Sequence, residues 1–184
     1  MQGAILANRS SKDRPSTDFY PTPEIVTIAL LEYLNIPKGS TISEPACGDG
    51  RMAEVMKSMG YNVISSDLND MGYGTTGIDY LTASPVECDW IITNPPFKIS
   101  VDFIKKSIEN GKPFALLLKS QYWHSKGRMK LFNDFKPKIV LPLTWRPDFL
   151  HKGAPTMECL WTVWGTEAAD KTEYALLEKP TNKQ

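Results

Sequence analysis

The sequence is poor in the residues that build metal and disulfide sites. It has two histidines, His124 and His151, and three cysteines, Cys47, Cys88 and Cys159, which lie far apart. A site built from several histidines is therefore not expected, and the odd, scattered cysteines do not form a disulfide framework. Free thiols of this kind are typical of a reducing compartment. We predict no metal site and a cytoplasmic location.

Long apolar runs are also missing. The longest are "ALLL" from Ala115 and "WII" from Trp90, which are far too short to cross a membrane as a helix. The N-terminus lacks the charged and then apolar order of a secretion signal. With 184 residues, 41% hydrophobic and 10% aromatic, the chain is long enough for one domain with a real core.

Opposite charges are separated along a chain whose net charge is zero. The 98–152 segment has 12 Lys and Arg against 4 Asp and Glu, a balance of +8, whereas 40–97 has 2 against 8, a balance of −6. Solvated helix faces are one explanation of such runs. Aromatic residues among cations instead favour nucleic acid, and the basic segment contains Tyr122, Trp123, Trp145 and Phe149. We predict that DNA binds the 98–152 region.

Helical and strand-like patterns alternate along the chain, which predicts an α/β fold with a mostly parallel sheet. A loop alone joins the last two strands, so they are expected to form an antiparallel hairpin at one edge. Thr22 is expected to cap the first helix and Pro23 to open it. Helices are predicted at 23–34, 51–60, 101–110 and 125–135, and strands at 40–44, 61–68, 88–94, 113–120, 137–143 and 158–165, with one more very short strand before Asp79. We expect a flexible arm at 1–17, a single domain at 18–166 and a polar tail at 167–184.

A glycine turn lies between the first strand and the second helix. Residues 48–53 fit G-x-G-x-x-A, although a plain structural turn has the same pattern. Asp67, at the end of the next strand, is placed to accept the ribose hydroxyls of a nucleoside. Glu44, just before the turn, would repel a pyrophosphate and suits a cation. The glycine turn, Asp67 and Glu44 together favour S-adenosylmethionine as the cofactor over NAD.

Asp79 follows in "GIDYL". Its carboxylate is suited to accept a hydrogen bond from the adenine amino group, with Tyr80 or Leu81 packing on the ring. The alternative is that Asp79 only caps a turn.

The sequence Asn94-Pro95-Pro96-Phe97 follows another strand. An exocyclic amine conjugated to a ring is a poor nucleophile, and two acceptors, the Asn94 side-chain oxygen and the Pro95 carbonyl, would hold its N–H groups and align its lone pair. The prolines stiffen the backbone, and Phe97 offers a face on which a base can stack. Alignment then supplies most of the catalysis without a strong base.

"DFYPTPE", "EPACGDG", Asp67, Asp79 and "NPPF" together resemble the S-adenosylmethionine-dependent amino-methyltransferases, in particular the small phage-type DNA adenine-N6 enzymes. The resemblance extends from about residue 18 to 164. It implies a Rossmann-like class I methyltransferase fold with a seven-stranded sheet. It also implies methyl transfer from S-adenosylmethionine to the N6 amine of adenine in DNA, in a phage or restriction–modification setting.

The same resemblance implies roles for individual residues. Those of the cofactor site are Tyr20, Thr22 and Pro23 at the methionine part, Glu44, Ala46, Gly48 and Gly50 in the turn, Asp67 at the ribose, Asp79 and Tyr80 at the adenine, and Asn94. The catalytic residues are Asn94, Pro95, Pro96 and Phe97. The residues expected to border the target base or the DNA are Phe97, Lys98, Lys119, Trp123, Lys126, Arg128, Arg146 and Phe149.

The chain departs from many DNA methyltransferases because no separate target-recognition domain is visible. We therefore expect low or short sequence specificity, and a target adenine in duplex DNA must leave the stack. The alternatives are an amine of adenine or guanine in RNA, cytosine N4, a protein glutamine amide, or a binding protein without catalysis. The oligomeric state stays open, a dimer included.

Overall fold

The computed structural model describes residues 19–151, 153 and 155–181, and the predicted 1–17 arm lies outside them. Their strands are β1 (Thr41–Glu44), β2 (Asn62–Ser65), β3 (Trp90–Thr93), β4 (Phe114–Lys119), β5 (Ile139–Pro142), β6 (Cys159–Trp164) and β7 (Glu173–Tyr174). Within the described residues these seven strands form one sheet in the order β2-β1-β3-β4-β6-β5-β7.

The sheet is mostly parallel, as predicted. β1 pairs in parallel with β2 and β3, and β3 with β4, whereas β6 runs antiparallel to both β4 and β5. The antiparallel pairing of the last two predicted strands is confirmed. The pair lies beside one edge of the sheet: β6 is between β4 and β5, and the short β7 pairs in parallel with the outer side of β5.

Four α-helices cover the two faces of the sheet in the described part of the chain: α1 (Glu24–Leu34), α2 (Arg51–Ser58), α3 (Ser100–Glu109) and α4 (Lys126–Asp134). Successive strand residues face opposite sides, so Ile92 and Leu117 pack with α1 and α2, while Ile91 and Leu116 pack with α3. None of the described helices is long and apolar enough to cross a membrane.

The start of α1 differs from the sequence-based prediction. Pro23 is the N-cap, with φ −58° and ψ 137°, and no side chain caps the helix. The Thr22 hydroxyl instead accepts a hydrogen bond from the Asn94 side chain at 3.0 Å. A capping preference acts locally, whereas this bond joins residues 72 positions apart.

The 167–184 segment was predicted to be a polar tail, but part of it completes the sheet. β7 pairs with β5, and a bridge joins Leu143 to Leu177. Leu177 is 4% exposed and belongs to the core, whereas its neighbour Leu176 is 54% exposed. A two-residue strand with one inward side chain carries too little periodicity to be predicted.

The very short strand expected before Asp79 does not form in the described structure. A single bridge between Ser66 and Thr75 stands in its place. Gly72, Gly74 and Gly77 all have positive φ, a backbone conformation that interrupts a regular strand. The long connection from β2 to β3 is therefore a loop, and it forms one wall of the cleft described below.

The packing of the C-terminal segment is testable with two adjacent leucines. Leu177→Ala should lower the free energy of unfolding by about 2–3 kcal/mol, because it leaves a cavity in the core. Leu176→Ala removes the same atoms from an exposed site and should change stability by less than about 0.5 kcal/mol. Urea denaturation measures both. Equal losses would mean that the segment beyond β6 does not pack as described.

Candidate active site

A deep cleft lies at the carboxyl ends of β1, β2 and β3, where ligands of open α/β sheets bind. The cleft together with the solvent space at its mouth has a volume of about 890 Å³. The predicted site residues on its wall are Tyr20, Thr22, Glu44, Ala46, Asp67, Asp79, Tyr80, Asn94, Pro95 and Pro96. The structure therefore brings together most of the predicted cofactor site and the predicted catalytic turn.

The glycine turn after β1 is fastened to the end of β2. Gly48 and Gly50 have φ of 53° and 83°, which glycine adopts without strain. The Asp67 carboxylate accepts a hydrogen bond from the Gly48 backbone N–H at 2.9 Å and another from the Asn69 N–H at 2.8 Å. Asp67 therefore shapes the turn, and each carboxylate oxygen keeps a lone pair for a ligand.

Glu44 is the most deeply buried carboxylate of the cleft, with 1% of its surface exposed. Burial, followed by the negative charges of Asp67 and Asp49, raises its pKa well above the usual range, and the Ala53 backbone N–H offsets only part of this effect. Its Oε2 atom has no hydrogen-bond partner among the described residues. An unpaired buried carboxylate is costly and is well suited to a positively charged ligand.

Asp79 and Tyr80 stand on the loop wall of the cleft. Asp79 Oδ1 accepts a hydrogen bond from the Leu81 N–H at 3.0 Å, so the turn-cap alternative describes part of its role. The Tyr80 hydroxyl lies 2.8 Å from Ser107 Oγ, and its ring packs on Phe103. Burial raises the pKa of Tyr80 to about 12. The Tyr80 side chain is therefore neutral and held in place on the side of the cleft.

In the described part of the chain, the side-chain amide of Asn94 is hydrogen-bonded through its nitrogen and not through its oxygen. Its Nδ2 donates to the Tyr20 carbonyl at 3.1 Å and to Thr22 Oγ1 at 3.0 Å. Its Oδ1 is buried and has no partner among the described residues, on a side chain that lines the cleft. Pro95 beside it is buried. The arrangement presents a hydrogen-bond acceptor to whatever enters the cleft.

Aromatic rings collect next to Asn94. The Tyr20 ring lies 5.4 Å from the Phe97 ring and 6.0 Å from the Phe149 ring, between centroids. The Lys119 ammonium lies 4.3 Å from the centre of the Phe97 ring. Tyr20, which the resemblance assigns to the cofactor, therefore joins the predicted base-stacking residue. Phe149 is 3% exposed and supports this cluster from the core.

Other residues predicted at the substrate side have partners of their own. Trp123 stacks on Phe132 in the core at 4.3 Å, the Arg128 guanidinium lies 3.9 Å from the centre of the Tyr122 ring, and Arg146 pairs with Glu158 at 2.7 Å. Lys98 and Lys126 are exposed. The prediction that these residues border the substrate stays a prediction.

The basic 98–152 segment is divided between the two ends of the sheet. Because β3, β4 and β5 are parallel, the residues that follow a strand lie at the cleft end, and those that precede one lie at the opposite end. Lys98 follows β3, whereas Lys138 immediately precedes β5. Only part of the +8 balance therefore lies beside the cleft.

Sequence reasoning missed much of the cleft wall, which comes from loops and helix starts. These residues are Phe19, Pro21, Pro45, Cys47, Asp49, Arg51, Met52, Leu68, Asn69, Met71, Ile78, Ile99 and Phe103. Most are adjacent to a predicted residue, so proximity along the chain was the available signal. Four of the predicted cofactor-site and catalytic residues do not line the cleft directly: Pro23, Gly48, Gly50 and Phe97.

Comparison with known proteins gives the fold. No family model and no curated protein matches this sequence. A Listeria monocytogenes protein assigned to the class I S-adenosylmethionine-dependent methyltransferases aligns with 90% of this chain and 68% of its own, at 16% identity and a TM-score of 0.60. The type I restriction–modification methyltransferase subunit of Streptococcus thermophilus gives a TM-score of 0.65 at 12% identity, over 85% and 47% of the two chains.

A dimethyladenosine transferase from Plasmodium falciparum aligns over 79% of this chain and 61% of its own, at 15% identity and a TM-score of 0.58. This chain spans about half of the Streptococcus subunit. The seven-stranded α/β sheet is thus the Rossmann-like fold of class I methyltransferases, which confirms the predicted fold class.

The buried state of Glu44 makes a pH-dependent prediction. Since folding raises its pKa, the folded protein binds this proton more tightly than the unfolded chain does. The resulting stabilisation is present below the unfolded pKa and is lost as the pH rises through the folded pKa. Glu44→Gln cannot ionise, so its melting temperature should exceed that of the wild type by a margin that grows from about pH 5 to pH 8.

The matched control is Glu32→Gln, because Glu32 is exposed on α1. Its melting temperature should follow the wild type at every pH. A Glu44→Gln margin that is constant with pH would show that Glu44 does not carry the buried proton.

Proposed function

We propose that this chain is an S-adenosylmethionine-dependent methyltransferase that acts on a conjugated exocyclic amine, the N6 amine of adenine in DNA. One observation carries the proposal. A buried, unpartnered amide oxygen, Asn94 Oδ1, opens onto the same cleft as the carboxylates Glu44, Asp67 and Asp79. The cleft thus combines a region suited to a cationic nucleoside with an acceptor for an N–H group.

The charges of the cleft support S-adenosylmethionine as the cofactor. Four carboxylates line it, those of Glu44, Asp49, Asp67 and Asp79, against one guanidinium, that of Arg51. Such a wall disfavours a pyrophosphate and favours a positively charged nucleoside. We propose that Asp67 accepts the ribose hydroxyls and that Asp79 accepts the adenine amino group, since both line the cleft. When bound, the cofactor supplies an electrophilic methyl group on a sulfonium.

The main catalytic role of the protein is to position the target amine. Asn94 Oδ1 accepts one N–H of the target, and the Pro95 carbonyl is proposed to accept the other. Two accepted hydrogen bonds favour a pyramidal nitrogen with its lone pair directed at the methyl carbon. Alignment of the amine with the methyl group replaces a strong base. After transfer the methylated nitrogen is cationic and acidic, and it loses its extra proton to solvent water at the open mouth of the cleft.

DNA is proposed as the substrate on three grounds. The "NPPF" resemblance points to adenine-N6 enzymes acting on DNA, and one structural neighbour is a restriction–modification methyltransferase subunit. We propose that Lys98 and Lys126, which are exposed and follow β3 and β4, contact the phosphates. RNA adenine is the second candidate, because another neighbour of the same fold is a dimethyladenosine transferase.

The decisive assay compares methyl transfer from labelled S-adenosylmethionine to unmethylated duplex DNA, single-stranded DNA and RNA. The products are digested to nucleosides and identified by mass. N6-methyladenine is expected in DNA. Asn94→Ala should lower transfer by at least about 100-fold, because the amine loses its acceptor, while cofactor affinity changes little. Label in RNA alone would overturn the DNA assignment, and full activity of Asn94→Ala would overturn the catalytic one.

The position of the cations can be tested with two double variants of equal charge. Lys98→Ala with Lys126→Ala should weaken duplex binding and reduce the slope of log affinity against log salt by about 2. Lys112→Ala with Lys138→Ala removes the same charge from the opposite end of the sheet, where β4 and β5 begin, and should change neither. Fluorescence anisotropy across a salt series measures both. If both double variants weakened binding equally, the total charge of the protein would govern DNA binding, and the position of the lysines beside the cleft would not.

A further inference from the structure

An asparagine amide can face a ligand with its oxygen or with its nitrogen, and only the oxygen accepts a hydrogen bond. In this cleft the choice is made by groups on the far side of Asn94. The Tyr20 carbonyl lies 3.1 Å from Asn94 Nδ2 and is an acceptor only. A flipped amide would place two oxygens against each other there. Thr22 Oγ1, at 3.0 Å, accepts the second N–H.

We infer that Thr22 is a positioning residue for the acceptor amine: its hydroxyl, with the Tyr20 carbonyl, fixes the Asn94 amide so that Oδ1 faces the cleft. This inference rests on the proposed function. It gives Thr22 a role distinct from the one that the resemblance implies, which is contact with the methionine part of the cofactor.

The 19–22 segment is built to hold these acceptors still. Pro21 and Pro23 fix two φ angles, and the residue before each proline is restricted to extended conformations. Thr22 is 4% exposed, so little solvent reaches its side chain. The ring of Tyr20 is anchored against Phe97 and Phe149.

The two hydrogen bonds satisfy both N–H groups of the Asn94 amide, leaving Oδ1 as its free group. Removal of the Thr22 oxygen leaves one buried N–H unpaired and allows the amide to rotate about the remaining bond. A loosened acceptor reduces alignment in the reaction more than it reduces binding of either substrate. The loss should therefore appear in kcat and spare cofactor affinity.

The kinetic test compares Thr22→Val, which keeps the shape and removes the oxygen, with Thr22→Ser, which keeps the oxygen. Thr22→Val should lower kcat by about tenfold, the effect of one unpaired buried donor, with an unchanged cofactor dissociation constant. Thr22→Ser should restore most of kcat. Thr27→Val is the matched control, because Thr27 is fully buried on α1 with no partner for its hydroxyl among the described residues. It should leave kcat unchanged.

A second test needs no catalysis. The side-chain amide protons of Asn94 are identified by NMR as the pair that disappears in Asn94→Ala. In the wild type both protons should exchange slowly, because both are hydrogen-bonded. In Thr22→Val one should exchange at least about tenfold faster, while Thr27→Val leaves both unchanged.

The outcomes separate the inference from the function on which it rests. If the wild type transfers no methyl group, the proposed function fails, whereas the exchange measurement still decides whether Thr22 holds the amide. If the wild type is active and Thr22→Val keeps full kcat and slow exchange, the inference is wrong. A Thr22→Val variant that loses only cofactor affinity would return Thr22 to the cofactor and also overturn it.

Discussion

The parallel pairing of β1 with both β2 and β3 is the constraint on which the site depends. Parallel strands end at the same edge, so the residues that follow three separate strands meet in one cleft. Glu44 ends β1, Asp67 lies two residues beyond β2, and Asn94 follows β3. The hydrogen bond from Gly48 to Asp67 fastens the first two ends together. Without this pairing, no two of these groups would share a ligand.

The cleft contains polar groups that are unfavourable in an empty site, and a ligand of the proposed kind would satisfy them. Glu44 is buried among other carboxylates, and the Asn94 oxygen is buried without a partner. Both are unfavourable in an empty site, and both become satisfied when a cation and an N–H donor enter. The surrounding core is conventional, with apolar clusters on both faces of the sheet. Among the described residues, ten buried polar side-chain atoms have no hydrogen-bond partner, and the Glu44 and Asn94 oxygens are the two that lie on the cleft wall.

Local patterns predicted most of the elements but not the connections between distant segments. The glycine turn, the four helices and six of the strands were visible because each has its own periodicity or turn chemistry. The two-residue β7 was missed, and so was the position of β6 between β4 and β5. The 98–152 charges read as one surface along the chain, yet parallel strands divide them between opposite ends. Pairing partners, which set these features, are not encoded locally.

The sequence by itself determined the chemistry that is present: carboxylates at strand ends, a glycine turn, and an amide followed by two prolines. These follow from residue type and spacing, which act over a few positions. Tertiary structure alone decided how the groups are oriented. Thr22 looked like a helix cap and instead holds the amide of Asn94, 72 residues away. The Trp123 ring stacks on Phe132, nine residues further along the chain, a contact that the spacing did not predict. A hydrogen bond or ring contact between distant segments depends on how the sheet brings them together, and the spacing of residues carries no record of it.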